Sequence, residues 1–498
     1  MNGSRVEDAL QVYSGSLALL TDLYQLTMAH GYWRAGMAER EACFTLSFRQ
    51  HPFNGGYTIA CGQGTLSSYL QRFRFEVSDL DYLASLTGRD GKALFEDDFL
   101  RYLEQSELRC DIDAVDEGTV VFPHEPLLRV RGPIWQAQIL ETPILNIVNF
   151  QTLIATKAAR VCEATGGGPV LEFGLRRAHG IDGALAASRA AYVGGCAGTS
   201  NVLAGKLYGI PVRGTHAHSW VMSFDSELEA FKTYAAAMPN NCVFLVDTYD
   251  TLEGVRNAIV VGRWLREQGQ ELLGIRLDSG DLAYLSIEAR RMLDKAGFNH
   301  CVVFASNDLD EWIIESLKKQ GATIAAWGVG TKLVTGHEDG ALGGIYKITA
   351  IRDAHGRWQD RIKLSEQAVK VSTPGVLQVR RFHDGGRLIA DAVFNENHQP
   401  DADCIIVDPV DHTRRRRLSA SLEYVDLLQP YMTKGELRAT HCASIEHARK
   451  RVKDGLAALH STLKRLTYPH IYPVGLERGL HELKTRLILE ARSGMDER

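Results

Sequence analysis

Several features are missing from this 498-residue chain, and each absence removes a class of protein. Nine cysteines are scattered from Cys43 to Cys442, yet no two stand as C-x-x-C. That argues against a zinc site or a disulfide framework, and free buried thiols in a reducing cytosol are expected. No run approaches the roughly 20 apolar residues that a membrane span requires. The opening MNGSRVEDALQVYSGS holds acids and no long apolar core, unlike a secretory signal, and reads as a loose arm. A cytoplasmic protein with no membrane partner is the expectation. Positive charge is not in excess either: the formal net charge is −5. Wholesale nucleic-acid binding is therefore not expected, and any anionic ligand must be held by a local cluster of cationic groups. There is no low-complexity segment. No G-x-G-x-x-G follows a first strand, which ranks an open dinucleotide-binding sheet below its alternatives.

What is present is an ordinary globular composition, 45% apolar and 23% charged, in a chain long enough for more than one domain. The stretch LLTDLYQLTMAHGYWRAG places Leu19, Leu23, Leu26 and Tyr32 near helical spacing, with Thr21 or Asp22 as the cap. Residues 40–62 and 110–131 are β-branched and aromatic, broken by Gly and Pro, and read as strands separated by helices across 63–108. Residues 141–161 form one long, largely apolar helix. From 169 a strand-then-helix beat begins. Its strands are VLEF (170–173), GIPVRGT (209–215), CVFLVD (242–247), LGIRLD (273–278), HCVVFAS (300–306) and TIAAWGVG (323–330). Such a beat means βα units and a parallel sheet, and this many in a row favours a barrel. Residues 340–440 are β-rich, with Arg414–Arg417 as a solvated face, and the remainder is helical.

In a parallel barrel, functional groups project from the carboxyl ends of the strands. Those ends carry Glu172, Phe173, Arg176 and Arg177, then Thr215 and His218, then Asp247, then Arg276, Asp278 and Asp281, then Ser306 and Asn307, then Gly328, Gly330 and Thr331. Paired arginines match anionic oxygens with forked donors. The glycines of GVGTKLVTG let backbone N–H groups approach a phosphate, although a plain glycine-rich turn would look the same. In RLDSGDL, Arg276 and Asp278 stand beside two further polar residues; a helix cap at Ser279 accounts for Asp281 but not for Arg276 and Asp278. DTYDTLEG divides likewise, with Asp250 or Thr251 as a cap and Asp247 at the strand end. His216 and His218 share a face if the segment is extended. A core histidine or a metal ligand are the open readings for His216, and no further ligands cluster with it in the sequence.

These motifs together resemble the nicotinate phosphoribosyltransferase family. The likeness runs through TDLYQLTMAHGYW (21–33), FRQHPFNGGY (48–57), ETPILNIVNFQTLIATKAAR (141–160), EFGLRRAHG (172–180), GTSNVLAG (198–205), GTHAHSW (214–220), LVDTYDTLEG (245–254), RLDSGDL (276–282), GVGTKLVT (328–335) and LGGIYK (342–347). The resemblance implies an irregular, incomplete α/β barrel over 151–350. Beside it stands an N-terminal α/β domain over 1–150, completed by 365–445, and a helical segment follows over 446–498. It implies transfer of a phosphoribosyl group from 5-phosphoribosyl 1-diphosphate to nicotinate, giving nicotinate mononucleotide and pyrophosphate in NAD salvage. ATP is the co-substrate, Mg²⁺ is held through substrate phosphates, and the expected assembly is a homodimer with shared active sites. By motif, His218 resembles the family's phosphorylated histidine. Tyr24, reaching in from a second subunit, Phe173, Ser200, Thr215 and Arg276 resemble nicotinate contacts. Arg176, Asp247, Asp278, Asn307, Gly328, Gly330 and Thr331 resemble the phosphoribosyl diphosphate site, with Asp278 and Arg276 also in the catalytic set.

Nicotinamide phosphoribosyltransferase is the nearest rival. Its aspartate at the position of Ser200 would repel a nicotinate carboxylate, so Ser200 favours the acid, whereas Phe173 looks like the nicotinamide enzymes. A sugar-phosphate aldolase or isomerase would need a Schiff-base lysine or a metal cluster at a strand end, and neither is evident. A non-catalytic nucleotide sensor would explain binding but not His218 and the carboxylates.

Overall fold

The computed structural model describes residues 15–367, 370–438 and 444–496. Nearly all of the expected N-terminal arm, and Cys442, lie outside the described residues. The chain divides into two units, one made of residues up to Leu153 together with those from Ala341 onward, the other of Ile154–Gly340.

The discontinuous unit holds two large sheets. Seven antiparallel strands run in the order Trp358–Asp360, Ile345–Arg352, Glu41–Ser47, Leu128–Pro133, Asp111–Ala114, Gln429–Thr433 and Glu436–Leu437. Ile345–Arg352, placed with the barrel on sequence grounds, instead pairs with Glu41–Ser47, and Tyr346 stacks on Phe44 with ring centroids 5.2 Å apart. A long-range antiparallel pairing of this kind leaves no local trace in the sequence. The second sheet contains Leu377–Asp384 and Arg387–Asn395 and takes in Val474–Glu477 from the chain's end. The tail is therefore not all helix. Its prolines break the periodicity, and Leu476 is buried among Leu377, Val379 and Val393. Arg415, Arg416 and Arg417 lie exposed on one strand, a solvated face. Asp22 caps the backbone of Leu23–Arg34, but its carboxylate accepts from Thr142 instead of from the helix. Of the eight described cysteines, every one but Cys162 is buried. Among the described residues no helix is long and apolar enough to cross a membrane.

The continuous unit is a parallel α/β sheet. Its strands are β1 (Val170–Glu172), β2 (Gly198–Thr199), β3 (Val243–Leu245), β4 (Gly274–Leu277), β5 (Val302–Ala305) and β6 (Ala326–Val329), in the spatial order β2-β1-β6-β5-β4-β3. Each helix after β3, β4 and β5 begins at an aspartate. Asp250 accepts from the Glu253 N–H at 2.8 Å, Asp281 from Tyr284 at 3.0 Å and Asp310 from Ile313 at 2.8 Å. Caps of this type contribute about 1 kcal/mol each. The cap after β4 is thus Asp281 and not Ser279, which turns elsewhere. Helix Thr251–Glu267 buries Val255, Ala258, Ile259, Gly262 and Leu265, a helical-period stripe. Lys157 and Arg160, on helix Glu141–Thr165, both meet Glu311 in the interior, at 2.8 and 2.9 Å.

One expected strand is absent. Residues 209–215 reduce to a single bridge between Val212 and Thr199. Gly209 ends the preceding helix with φ +70°, and Pro211 has no N–H to offer a ladder. Beyond that bridge the segment is held by His216. Its ring lies 7% exposed among Phe231, Tyr234 and Phe244, and its Nε2 accepts the Leu245 N–H of β3 at 3.2 Å. His216 is therefore a core histidine. Burial, aided by the nearby Arg276 charge, lowers its pKa to about 4.

Two predictions follow from these buried groups. Glu311→Ala removes the carboxylate that two interior cations share and should cost about 3–5 kcal/mol in denaturant unfolding. His216 is neutral in the folded protein but protonates near 6.5 when unfolded. The unfolded chain therefore binds more protons below that value. Its share of stability is complete above pH 6.5 and is lost as pH falls toward 4, by about 3 kcal/mol. His216→Gln retains an acceptor for Leu245 without titrating. Its unfolding free energy should fall less than that of the native chain between pH 7 and pH 4.5; equal losses would contradict the assignment.

Candidate active site

The carboxyl ends of parallel strands point one way, so residues far apart in sequence collect at one rim. At the end of β4, Arg276 is fixed by three neighbours. Its Nε donates to Ser306 Oγ at 2.7 Å, Nη1 to Thr215 Oγ1 at 3.0 Å and Nη2 to Asp278 Oδ1 at 2.9 Å. A guanidinium has five N–H donors; three are engaged here, leaving one on each terminal nitrogen. Ser306 also donates to Asp278 Oδ1. Burial pushes the Asp278 carboxyl up, but the Ser306 hydrogen bond and the Arg276 charge outweigh it and hold the group below its usual range. Asp278 is therefore a carboxylate at any physiological pH.

Asp247, just beyond β3, joins this group through one oxygen. Its Oδ2 accepts from the Asp278 N–H at 2.9 Å and from Ser279 Oγ at 2.6 Å. Its Oδ1 is buried with no hydrogen-bond partner among the described residues. An unpartnered carboxylate oxygen is costly unless a ligand meets it. His218 opens the short helix His218–Met222 and lies half exposed. Its Nδ1 stands 3.1 Å from Thr248 Oγ1, and its Nε2 is 3.8 Å from Asp278 Oδ2. His216 and His218, two residues apart, thus serve different ends: one packs in the core and the other faces the rim.

Phe173 forms the apolar wall. Its N–H donates to the Val329 carbonyl at 2.8 Å, its ring centroid is 5.7 Å from that of Phe304, and the Arg276 guanidinium carbon lies 5.8 Å from the ring. The glycines at and just beyond the end of β6 follow from this. A Cβ at Gly328 would come within 2.9 Å of both the Phe173 and Phe304 rings, and one at Gly330 within 3.0 Å of the Phe173 carbonyl oxygen. Glu172 is not part of the open rim. It is wholly buried and accepts from Ser188 at 2.8 Å and Thr199 at 2.6 Å, pinning β1 to β2.

Phe173, Thr215, His218, Asp247, Arg276 and Asp278 are thus brought into one connected set. The other expected residues of this unit stand at the same strand ends without joining that network. Ser200 donates its N–H to the Glu172 carbonyl at 3.0 Å. Arg176 is exposed in the single turn Leu175–Arg177. Asn307 is exposed, holds a left-handed φ of +126° and accepts the Asp308 N–H at 2.7 Å. Strain of that kind is characteristic of functional loops. Thr331 begins the turn Thr331–Val334, whose first N–H groups have no acceptor within the turn. The neighbouring Lys332 is engaged by Asp310 at 2.7 Å. Tyr24 belongs to the other unit, half exposed on helix Leu23–Arg34. Sequence reasoning missed the roles of Thr248, Ser279 and Ser306. The signal was a hydroxyl next to a strand-end acid for Thr248 and Ser279, and a strand-end position alone for Ser306.

Known proteins carry the same pattern. Residues 19–149, 169–355 and 378–484 match, in turn, the nicotinate phosphoribosyltransferase N-terminal domain, the nicotinate phosphoribosyltransferase family and the nicotinate phosphoribosyltransferase C-terminal domain. The chain is 44% identical to the nicotinate phosphoribosyltransferase of Bacillus subtilis, covering 97% of each. It is 36% identical to that of Caenorhabditis elegans, covering 95% of this chain and 93% of the relative. Among solved structures, human nicotinic acid phosphoribosyltransferase matches with a TM-score of 0.81 at 30% identity, over 94% of this chain and 99% of the other. Nicotinate-nucleotide pyrophosphorylase from Pyrococcus furiosus, at 20% identity and a TM-score of 0.67 over 92% of this chain and 97% of that one, shares the fold. With three successive domains matched and full-length relatives at this identity, the chain belongs to the nicotinate phosphoribosyltransferase family.

Proposed function

We propose that the rim of the parallel sheet is where this chain, a nicotinate phosphoribosyltransferase, joins nicotinate to the ribose of 5-phosphoribosyl 1-diphosphate and releases pyrophosphate. The observation that carries this reading is the state of Arg276: three N–H groups are tied to protein and one on each terminal nitrogen is left over. Two parallel donors match the two oxygens of a carboxylate. Thr215 sits beside them, Phe173 offers its ring to the pyridine, and Ser200 adds no negative charge that would repel the acid. An amide in place of the carboxylate forfeits the charge-assisted contact, which disfavours the nicotinamide alternative.

As the bond to pyrophosphate lengthens, C1 of the ribose gains positive character. The Asp278 and Asp247 carboxylates would stabilise that charge, and the pyridine nitrogen then attacks. Preorganised charge of this kind supplies several kcal/mol, each 1.4 being about tenfold in rate. Arg176, Asn307, Gly328, Gly330 and Thr331 are assigned to the phosphoribosyl diphosphate. Among the described residues no cluster of three or more acids, histidines or cysteines could hold a metal by itself. A Mg²⁺ carried on substrate phosphates would take the unpartnered Asp247 Oδ1 as its protein contact. The ion would neutralise the departing diphosphate. His218, partly exposed and oriented by Thr248, is the residue that would accept a phosphoryl group from ATP.

The finer architecture is read as an irregular, incomplete α/β barrel, with residues 209–217 spanning from β2 toward β3. A cytoplasmic homodimer completes the reading, with Tyr24 contributed to the site of a second copy. Leu23, Tyr24 and Met28 are exposed apolar residues on the helix that would make this contact, with Leu20 just before it.

Incubated with nicotinate, 5-phosphoribosyl 1-diphosphate, ATP and Mg²⁺, the purified protein should release pyrophosphate and prefer nicotinate over nicotinamide in direct competition. Arg276→Ala should raise the nicotinate KM about 10–100-fold, the loss expected for a hydrogen bond to a charged group. No pyrophosphate, or an unaltered KM, would refute the respective assignments. His218→Ala should abolish ATP hydrolysis per mononucleotide formed while slow transfer persists. Coupled turnover at the native ratio in that variant would remove His218 from its role.

A further inference from the structure

Ser306 is 4% exposed, and its main chain is anchored by an N–H donated to the Leu277 carbonyl at 2.8 Å. Its hydroxyl accepts from Arg276 Nε at 2.7 Å and donates to Asp278 Oδ1, while Arg276 Nη2 donates to that same oxygen at 2.9 Å. The three side chains close a ring in which the hydroxyl stands between the guanidinium and the carboxylate on one side of the pair.

The ring has two chemical consequences. Nε and Nη2 form one forked edge of the arginine. That edge is the natural partner of a carboxylate, which accepts two parallel N–H bonds through its two oxygens. Asp278 is adjacent and could take that fork whole. It does not, because Ser306 occupies the Nε position and only Oδ1 of Asp278 meets the arginine. Asp278 Oδ2 is left facing His218 at 3.8 Å. The terminal nitrogens are also held in one orientation, with Nη1 pinned by Thr215 at 3.0 Å. The same hydroxyl is the strongest of the influences that keep the Asp278 carboxyl ionised.

We infer that Ser306 is a positioning residue for substrate selection: its hydroxyl is a spacer that stops Arg276 and Asp278 from closing into a two-point ion pair, and so keeps the guanidinium's charge unspent and its terminal nitrogens in the orientation that meets an anionic carboxylate. Without the hydroxyl, Arg276 rolls toward Asp278, satisfies its charge inside the protein and discriminates less between an acid and an amide. This inference rests on the reading that Arg276 meets the nicotinate carboxylate.

The test compares Ser306→Ala, Ser306→Cys and Arg276→Ala in the full-length protein. The nicotinate KM and the inhibition constant of nicotinamide as a competitor are measured for each. Ser306→Ala should raise the nicotinate KM about tenfold, the equivalent of one hydrogen bond's contribution, with the nicotinamide constant changed less than about twofold. The weaker thiol of Ser306→Cys should fall between Ser306→Ala and the native chain. A merely structural role would lower kcat or the melting temperature and leave that ratio of constants untouched. If Arg276→Ala collapses the ratio while Ser306→Ala does not move it, the spacer role is wrong and the arginine assignment survives. If neither variant moves it, the arginine assignment itself has failed.

Discussion

One guanidinium, held at three points, organises the rim of the parallel sheet. Arg276 takes partners from three places: Asp278 two residues on, Ser306 at the end of the next strand and Thr215 from the segment beside β2. None of these contacts needs to form when a ligand arrives. A charge fixed beforehand costs no reorganisation during reaction, which is why preorganised polar groups outperform water in such sites. The carboxylates follow the same logic. Asp278 is ionised by its neighbours, and Asp247 is locked through one oxygen while the other waits without a partner.

That organisation depends on a scaffold held by buried polar contacts. Glu172 ties the ends of β1 and β2, Glu311 gathers two interior cations, and Asp250, Asp281 and Asp310 start the three helices that back the sheet. The apolar wall imposes its own demand. Phe173 leans over β6 so closely that Gly328 and Gly330 have no room for a side chain. Their glycine identity is a packing requirement as well as an opportunity for backbone to approach a phosphate. Lys332, which reads in sequence as a free cation beside those glycines, is neutralised by Asp310. Positive charge at this rim is therefore concentrated in arginines, in a protein whose net charge is negative.

By itself, the sequence determined the strand–helix beat of residues 169–330, because parallel strands buried on both faces must be apolar runs and the helices between them must be amphipathic. It also determined which residue types stand at the strand ends, and through ten ordered motifs it pointed to the family. It could not determine which of those residues touch. The strand expected at 209–215 gave way to a single bridge because Pro211 lacks a donor and Gly209 turns the chain. Ile345–Arg352, expected with the parallel unit, pairs instead with a strand some three hundred residues away. His216 and His218, alike in sequence, were separated into core and rim by the packing of Phe231, Tyr234 and Phe244. Thr248, Ser279 and Ser306 acquired their roles only when β3, β4 and β5 lay side by side. Periodicity and residue chemistry are local and survive in a linear text. Contacts between strand ends are set by sheet register and close packing, which exist only once the chain has folded.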